Sequence, residues 1–360
     1  MKGIILSALL FSIHALSAQQ GWWRAQLHRP DGESVVFNFE WKKEAGKNVW
    51  YIRNAAERMK VDNISAAGDS LFIQMPVFES EFRIYAGEKY LSGSWIKGGA
   101  VKTLVLPFTA VPGKKRFKGI APAVENISGR WSVKYDKDSV AGTVAEFKQS
   151  GNIVTGTFLN PTGDYRYLEG IVSSDSLYLS SFDGSNAFLF KAAISGNTIG
   201  GVQLTGATGR KRWSAVKDSA AAISQASAAM HLRPGEDSLH FSFRDIDGKQ
   251  VSIADDRFKN KVVVVQLMGS WCPNCMDETA FLSDYYNKNR LRGIEVIALA
   301  YEYSTDRERS VKSLQKFRHR FDVQYPVLIT GVTVLDSLRT EKTLPELTPI
   351  KIFPSSIVLD

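Results

Sequence analysis

The pentapeptide Trp271-Cys272-Pro273-Asn274-Cys275 holds the only two cysteines of the 360-residue chain, and it follows a β-branched run, Val262 to Val265, that reads as a buried strand. A strand leading into two cysteines separated by two residues places both sulfurs at the first turn of a helix. A disulfide there can open and close without moving the rest of the fold. Pro273 suits the first helical position, where no hydrogen bond is lost. The sulfur at the helix start faces unpaired backbone N–H groups and the positive end of the helix dipole, which favour thiolate over thiol. Cys272 is therefore the expected nucleophile. Cys275, one turn deeper, is the expected resolving thiol that attacks the mixed disulfide and frees the reduced partner.

Other uses of two cysteines fit less well. A bridge across two residues closes so short a loop that it would stabilise the fold only slightly. Zinc usually takes four ligands, and neither His231 nor His240 stands at ligand spacing to the pair. Haem attachment needs histidine after the second cysteine, where this chain has Met276. The dithiol itself needs no cofactor.

The first residues read as a secretory signal peptide over 1–18, with Lys2, an apolar run from Ile4 to Leu16 and the small residues Ser17-Ala18. That run is shorter than the ~20 apolar residues of a spanning helix, so no membrane span is expected after cleavage. The expected location is the periplasm or cell envelope. In an oxidising compartment a lone, closely spaced pair serves exchange, and stability must come from apolar burial. With 44% hydrophobic and 11% aromatic residues the chain can supply it. The formal charge of +8 is spread among acidic residues. Together with export this argues for a generally basic surface rather than a nucleic-acid partner. The densest basic stretch, Arg307 to Arg320, also carries Val311, Leu314 and Phe317 at helical spacing, so its charges read as a solvated helix face.

From Gly21 to about Val216 the pattern is short alternating strands punctuated by Gly, Asp and Asn. A weak repeat runs through it. Gly21-Trp22-Trp23 is echoed by Gly129-Arg130-Trp131, Asp69-Ser70-Leu71-Phe72 by Asp175-Ser176-Leu177-Tyr178, and Ala110-Val111 by Ala215-Val216, in the same order and at nearly the same spacing. Two antiparallel β units, 21–112 and 125–217, are therefore expected, each a small barrel or sandwich, joined by an exposed connection at Lys114-Lys115-Arg116. Trp22, Trp23, Trp41, Trp50 and Trp95 could line a ligand surface, though tryptophans in such units are more often core. Residues 218–237, rich in Ala and Ser, read as a linker with a short helix from Ser219 to Met230. From 238 to 360 strands alternate with helices, implying an α/β domain: strand Lys261–Met268, the cysteine helix, strand Ile294–Ala300, a helix over Arg307–Phe321, strand Tyr325–Ile329 and a final strand Ile350–Leu359.

Phe241-Ser242-Phe243 with Gly248, Trp271-Cys272-x-x-Cys275 with Glu278 behind it, and Phe353-Pro354-Ser355-Ser356-Ile357 resemble the exported thioredoxin-like proteins of the TlpA/ResA type. The resemblance covers the last third of the chain. It implies a thioredoxin fold, a cis peptide bond at Pro354 packed against the cysteine pair, and an extra helix and strand between Cys275 and Pro354. It also implies thiol:disulfide exchange, in the reducing direction, with protein thiols and disulfides as partners and an upstream electron donor. Two positions refine the chemistry. Gln266 stands where thioredoxin has a buried Asp, and it cannot take the proton of the resolving thiol. Glu278, on the helix face of Cys275, matches an active-site acid of ResA-like members, with Glu302 as a second candidate. A thioredoxin fold normally continues beyond the strand at Ile357 with another strand and helix, so the domain resembles one truncated at its C-terminus. Rival readings are a surface binding protein acting through its β modules and a thiol peroxidase. The peroxidase would want threonine three residues before the attacking cysteine, where this chain has Gly269.

Overall fold

A computed structural model describes residues 20–136, 142–161, 163–223 and 230–360. The segment 1–18, read from sequence as a signal peptide, and residues 224–229, half of the expected linker helix, lie outside the described residues.

The N-terminal half forms two large antiparallel sheets of nine strands each. In the first, strand Gly21–His28 lies between the second strand, Ser34–Glu44, and the last, Leu104–Pro112. The second sheet repeats this plan, with Gly129–Tyr135 between Thr143–Ser150 and Gly209–Lys217. The register is repeated too. Trp23 faces Pro112 and Ala25 faces Ala110 in the first sheet, while Trp131 faces Lys217 and Val133 faces Ala215 in the second. The second sheet closes into a barrel because Thr143–Ser150 also pairs with Ile153–Asn160, which removes its free edges.

Alternation fills both interiors. Trp23, Phe37, Phe39, Trp41, Trp50, Phe82 and Trp95 are buried in the first unit; Trp131, Phe158, Phe190 and Trp213 fill the barrel. Four of the five tryptophans singled out from sequence are thus core, and only Trp22 stays half exposed. The units are not independent beads. Phe182 of the barrel inserts into the first unit, its ring 4.5 Å from Phe37 and 5.3 Å from Trp95. The connection departs from its expected exposure at Arg116, which is 5% exposed. Its guanidinium donates to the carbonyl oxygens of Arg53 and Ser180 and approaches Glu169 at 3.5 Å. Burial of this charge is tolerable because carbonyls from both units accept its protons.

The C-terminal domain is a six-stranded sheet in the order Gln250–Ser252, Ser242–Asp245, Val327–Ile329, Ile294–Ala300, Val262–Met268, Ser355–Leu359. Its three central strands are parallel, and the final strand runs antiparallel to Val262–Met268. The expected strands at 325–329 and 350–359 are shorter, beginning at Val327 and Ser355. Helix α1, Pro273–Asn289, buries Cys275, Thr279, Leu282 and Tyr286, a stripe at helical spacing. Helix α2, Arg307–Phe321, is capped by Asp306, whose carboxylate accepts from the Glu308 and Arg309 N–H groups. A further short helix, α3, spans Arg339–Thr343.

The basic face of α2 is not wholly solvated, as its charge pattern suggested. Arg309 donates to Glu79 of the first β unit at 3.0 Å, and the Ser313 hydroxyl donates to the same carboxylate at 2.8 Å. Ion pairing offsets the burial of that helix face.

Candidate active site

Strand Val262–Met268 runs into the turn Gly269–Trp271, and α1 begins at once. Cys272 is its N-cap, with extended backbone (φ −98°, ψ 116°), and Pro273 follows. The Cys275 N–H donates to Cys272 Sγ at 3.3 Å, so one of the orphan donors of the first helical turn is spent on that sulfur. Both cysteines are free thiols and both are buried, Cys272 at 5% exposure and Cys275 at zero. Cys272 Sγ donates to the Phe353 carbonyl at 3.5 Å, and the next peptide bond, Phe353–Pro354, is cis. This loop closes the site from the final strand. Burial, together with the hydrogen bond to Cys272, pushes the Cys275 thiol well above its ordinary value, which keeps it protonated.

Behind Cys275 sits a polar chain. Gln266 is fully buried; its Nε2 donates to Glu278 Oε2 and to Thr279 Oγ1, both at 2.9 Å, and its Oε1 accepts from Tyr325 OH at 3.3 Å. The other Glu278 oxygen accepts from Ser356 Oγ at 2.9 Å. Burial raises the Glu278 pKa, and the hydrogen bonds from Gln266 and Ser356 oppose that shift. The structure thus brings Gln266 and Glu278 together beside Cys275.

Glu302 lies elsewhere. It follows strand Ile294–Ala300 and accepts from the Ser270 N–H at 2.8 Å and the Ser270 hydroxyl at 2.6 Å. Burial pushes its pKa up to about 7. Its bonds go to the residue before Trp271 and not to either sulfur, so it acts on the turn that precedes the cysteines. Trp271 is fixed in turn by donation from Nε1 to the Tyr301 carbonyl at 2.8 Å and by stacking on Tyr303 at 5.2 Å.

The β units reach this face as well. Ser185 Oγ of the barrel donates to the Trp271 carbonyl at 3.1 Å, and the Asn274 amide is hydrogen-bonded to Asp164. Arg166 pairs with both Glu57 (2.7 Å) and Asp277 of α1 (2.9 Å). Sequence reasoning missed Ser270, Asp277, Ser185 and Arg166. Ser270 had a signal, adjacency to the motif. The others had none, since an isolated charge on a helix or a loop reads as solvated until its partner is known.

A βα unit with a dithiol at the helix start, faced by a cis-proline loop, defines the C-terminal domain as thioredoxin-like. Residues 234–341 match the model of the AhpC/TSA family, so this region carries an AhpC/TSA thioredoxin-like domain. The chain is 30% identical over 95 residues to the thiol-disulfide oxidoreductase ResA of Bacillus thuringiensis subsp. konkukian, covering 26% of this chain and 50% of that one. With ResA of Bacillus subtilis it shares 27% over 107 residues, 29% of this chain and 55% of that one. The chain spans about half the length of the curated relatives it matches. Among solved structures it is similar to the thioredoxin domain of a thiol-disulfide oxidoreductase from Bacteroides vulgatus (22% identity, 36% of this chain, 83% of that one, TM-score 0.28).

Proposed function

We propose that this chain is an exported thiol:disulfide oxidoreductase that reduces disulfides of protein substrates. One observation carries the reading: Cys272 caps α1 with the Cys275 N–H aimed at its sulfur, and Cys275 lies buried one turn on. Cys272 attacks the substrate disulfide, forming a mixed disulfide and expelling one substrate thiolate. Cys275 then attacks Cys272 Sγ, releasing the second substrate thiol and leaving the Cys272–Cys275 disulfide, which an upstream donor must reduce. Because burial holds the Cys275 proton, a base is needed at that second step, and Glu278 is the carboxylate positioned to take it. Glu302, through Ser270, positions the turn that carries Trp271 and Cys272. Export fits the N-terminal pattern, and among the described residues no helix is long and apolar enough to cross a membrane.

A peroxidase is disfavoured by Gly269. A Cβ at this position would overlap the Trp271 indole, so the threonine that such chemistry wants has no room.

The test is trapping with Cys275→Ser. Without the resolving sulfur, attack by Cys272 stalls as a covalent adduct that reductant releases, and the Cys272→Ser, Cys275→Ser double variant gives none. Absence of reductant-sensitive adducts from the folded single variant refutes the exchange reading.

A further inference from the structure

Between the two β units, and ending against α1, lies a cavity of about 940 Å³. That is the upper end of the range for small-molecule sites and far more than one carboxylate or phosphate would fill. Its lining comes from all three parts of the chain: Trp22, Arg53 and Lys114 from the first unit and the connection, Lys148 and Arg166 from the barrel, and Asp277 from α1.

Charge in this cavity is unevenly satisfied. Arg166 is held by Glu57 and Asp277, and Arg130 by Glu146 at 2.7 Å. Arg53, Lys114 and Lys148 have no carboxylate at ion-pair distance among the described residues, although all three line the same space. Arg53 and Lys114 instead crowd one indole, 5.7 and 4.9 Å from the centre of the Trp22 ring. Two guanidinium groups also keep N–H groups without acceptors. The Arg166 side chain is only 6% exposed, and its Nη1 has no hydrogen-bond partner; nor has the buried Nε of Arg53. Buried N–H groups of this kind normally find an acceptor, and for arginine the matching acceptor is a carboxylate or phosphate. Arg166 is held besides in left-handed backbone (φ 51°), a conformation uncommon for a side chain of its size and frequent at ligand-binding sites.

The place of the cavity says what kind of anion it takes. Asp164, on its wall, is hydrogen-bonded to Asn274, one of the two residues between the cysteines. One end of the cavity therefore lies beside the start of the helix that carries the dithiol, against the Asp164–Asn274 contact.

We infer that the cavity binds an acidic segment of polypeptide and is the docking site for the protein whose disulfide Cys272 attacks. The inference rests on the proposed exchange function for its purpose, but the binding event stands apart from it. Arg53, Lys114 and Lys148 meet the carboxylates, and the Trp22 ring packs against the aliphatic part of the segment.

The probe is a fluorescent, cysteine-free, glutamate-rich decapeptide, titrated by anisotropy into the reduced full-length chain, with the glutamine-rich analogue as control. The acidic peptide binds, and its Kd rises at least tenfold in Arg53→Gln, Lys114→Gln and again as salt is raised. The rim variant Lys148→Gln, at an exposed position, weakens binding severalfold and covers the case in which the double variant fails to fold. Cys272→Ser binds like the unaltered chain. In exchange assays the KM for an acidic disulfide peptide rises in parallel with Kd. Equal binding of the acidic and neutral peptides, or a Kd unmoved in both sets of variants, overturns the site. Competition by free phosphate or succinate at the affinity of the peptide overturns the polypeptide assignment. Acidic-peptide binding without disulfide turnover would refute the exchange function and leave the site standing.

Discussion

Replacing Glu302 by glutamine should make the protein more stable, and only above a definite pH. Glu302 is 7% exposed and is raised from an ordinary 4.5 to about 7, chiefly by burial, with the nearby Glu79 charge adding to the shift and Arg309 and the two Ser270 hydrogen bonds opposing it. Between these two values the folded state binds more protons than the unfolded state, so stability falls as pH rises through the window and is level on either side of it. A difference of two to three units corresponds to about 3 kcal/mol lost by the time Glu302 is fully ionised. Glutamine is nearly isosteric, its oxygen can accept from the Ser270 N–H, and the Ser270 hydroxyl can turn to accept from its amide. It removes the charge and therefore the loss. Urea denaturation of the reduced protein, followed by tryptophan fluorescence, should give nearly equal stabilities for Glu302→Gln and the unaltered chain near pH 4. Near pH 9 the variant should lead by about 3 kcal/mol. A constant difference across this range, or a variant less stable at high pH, refutes the assignment of Glu302 as a buried, neutralised acid.

Three further outcomes are expected. Glu278→Gln slows release of the mixed disulfide by about a hundredfold while leaving its formation nearly unchanged, since the carboxylate serves the Cys275 proton; stopped-flow measurement of the two steps checks this, and equal effects on both would remove Glu278 from resolution. In the reduced protein an alkylating reagent modifies Cys272 before Cys275, because Cys275 is fully buried and its thiol is raised, and Glu79→Gln, which removes the anchor of Arg309 and Ser313, quickens that labelling; peptide mass mapping over time reads both. Gly170→Ala places a Cβ onto the Tyr178 carbonyl oxygen of the neighbouring strand and should destabilise the barrel by about 3 kcal/mol or more, seen as an early loss of barrel signal in denaturation, whereas Gly196→Ala, with open space around it at a tight turn, costs less.

What was legible from sequence is what short-range physics controls. The run Val262 to Val265, the proline after Cys272 and the stripe Val311, Leu314, Phe317 each report a local period or a local backbone requirement, and the elements lie where these signals put them: Val262–Met268, Pro273–Asn289 and Arg307–Phe321. The two sheets share one strand plan, and Trp23 and Trp131 hold equivalent places in it, opposite Pro112 and Lys217 of the last strand of each sheet. Gln266 and Glu278 were each singled out through the family resemblance, but their hydrogen bond, between residues twelve apart on a consecutive strand and helix, was not.

Only the tertiary structure decided the contacts between distant segments. Arg309 finds Glu79 across 230 residues, Ser185 finds the Trp271 carbonyl across 86, and Asn274 meets Asp164 across 110. Lys114-Lys115-Arg116 looks like a solvated basic loop in sequence, yet Arg116 is buried because carbonyls of Arg53 and Ser180, from two different units, converge on it. A charge carries no local mark of whether water or a remote carboxylate will satisfy it, and an aromatic such as Phe182 carries none of which core it will enter. Those choices depend on how the β units close and dock, which is a property of the whole chain. Sequence therefore marked the cysteine pair, while its burial, and the charged cavity beside the helix that carries it, follow from long-range packing alone.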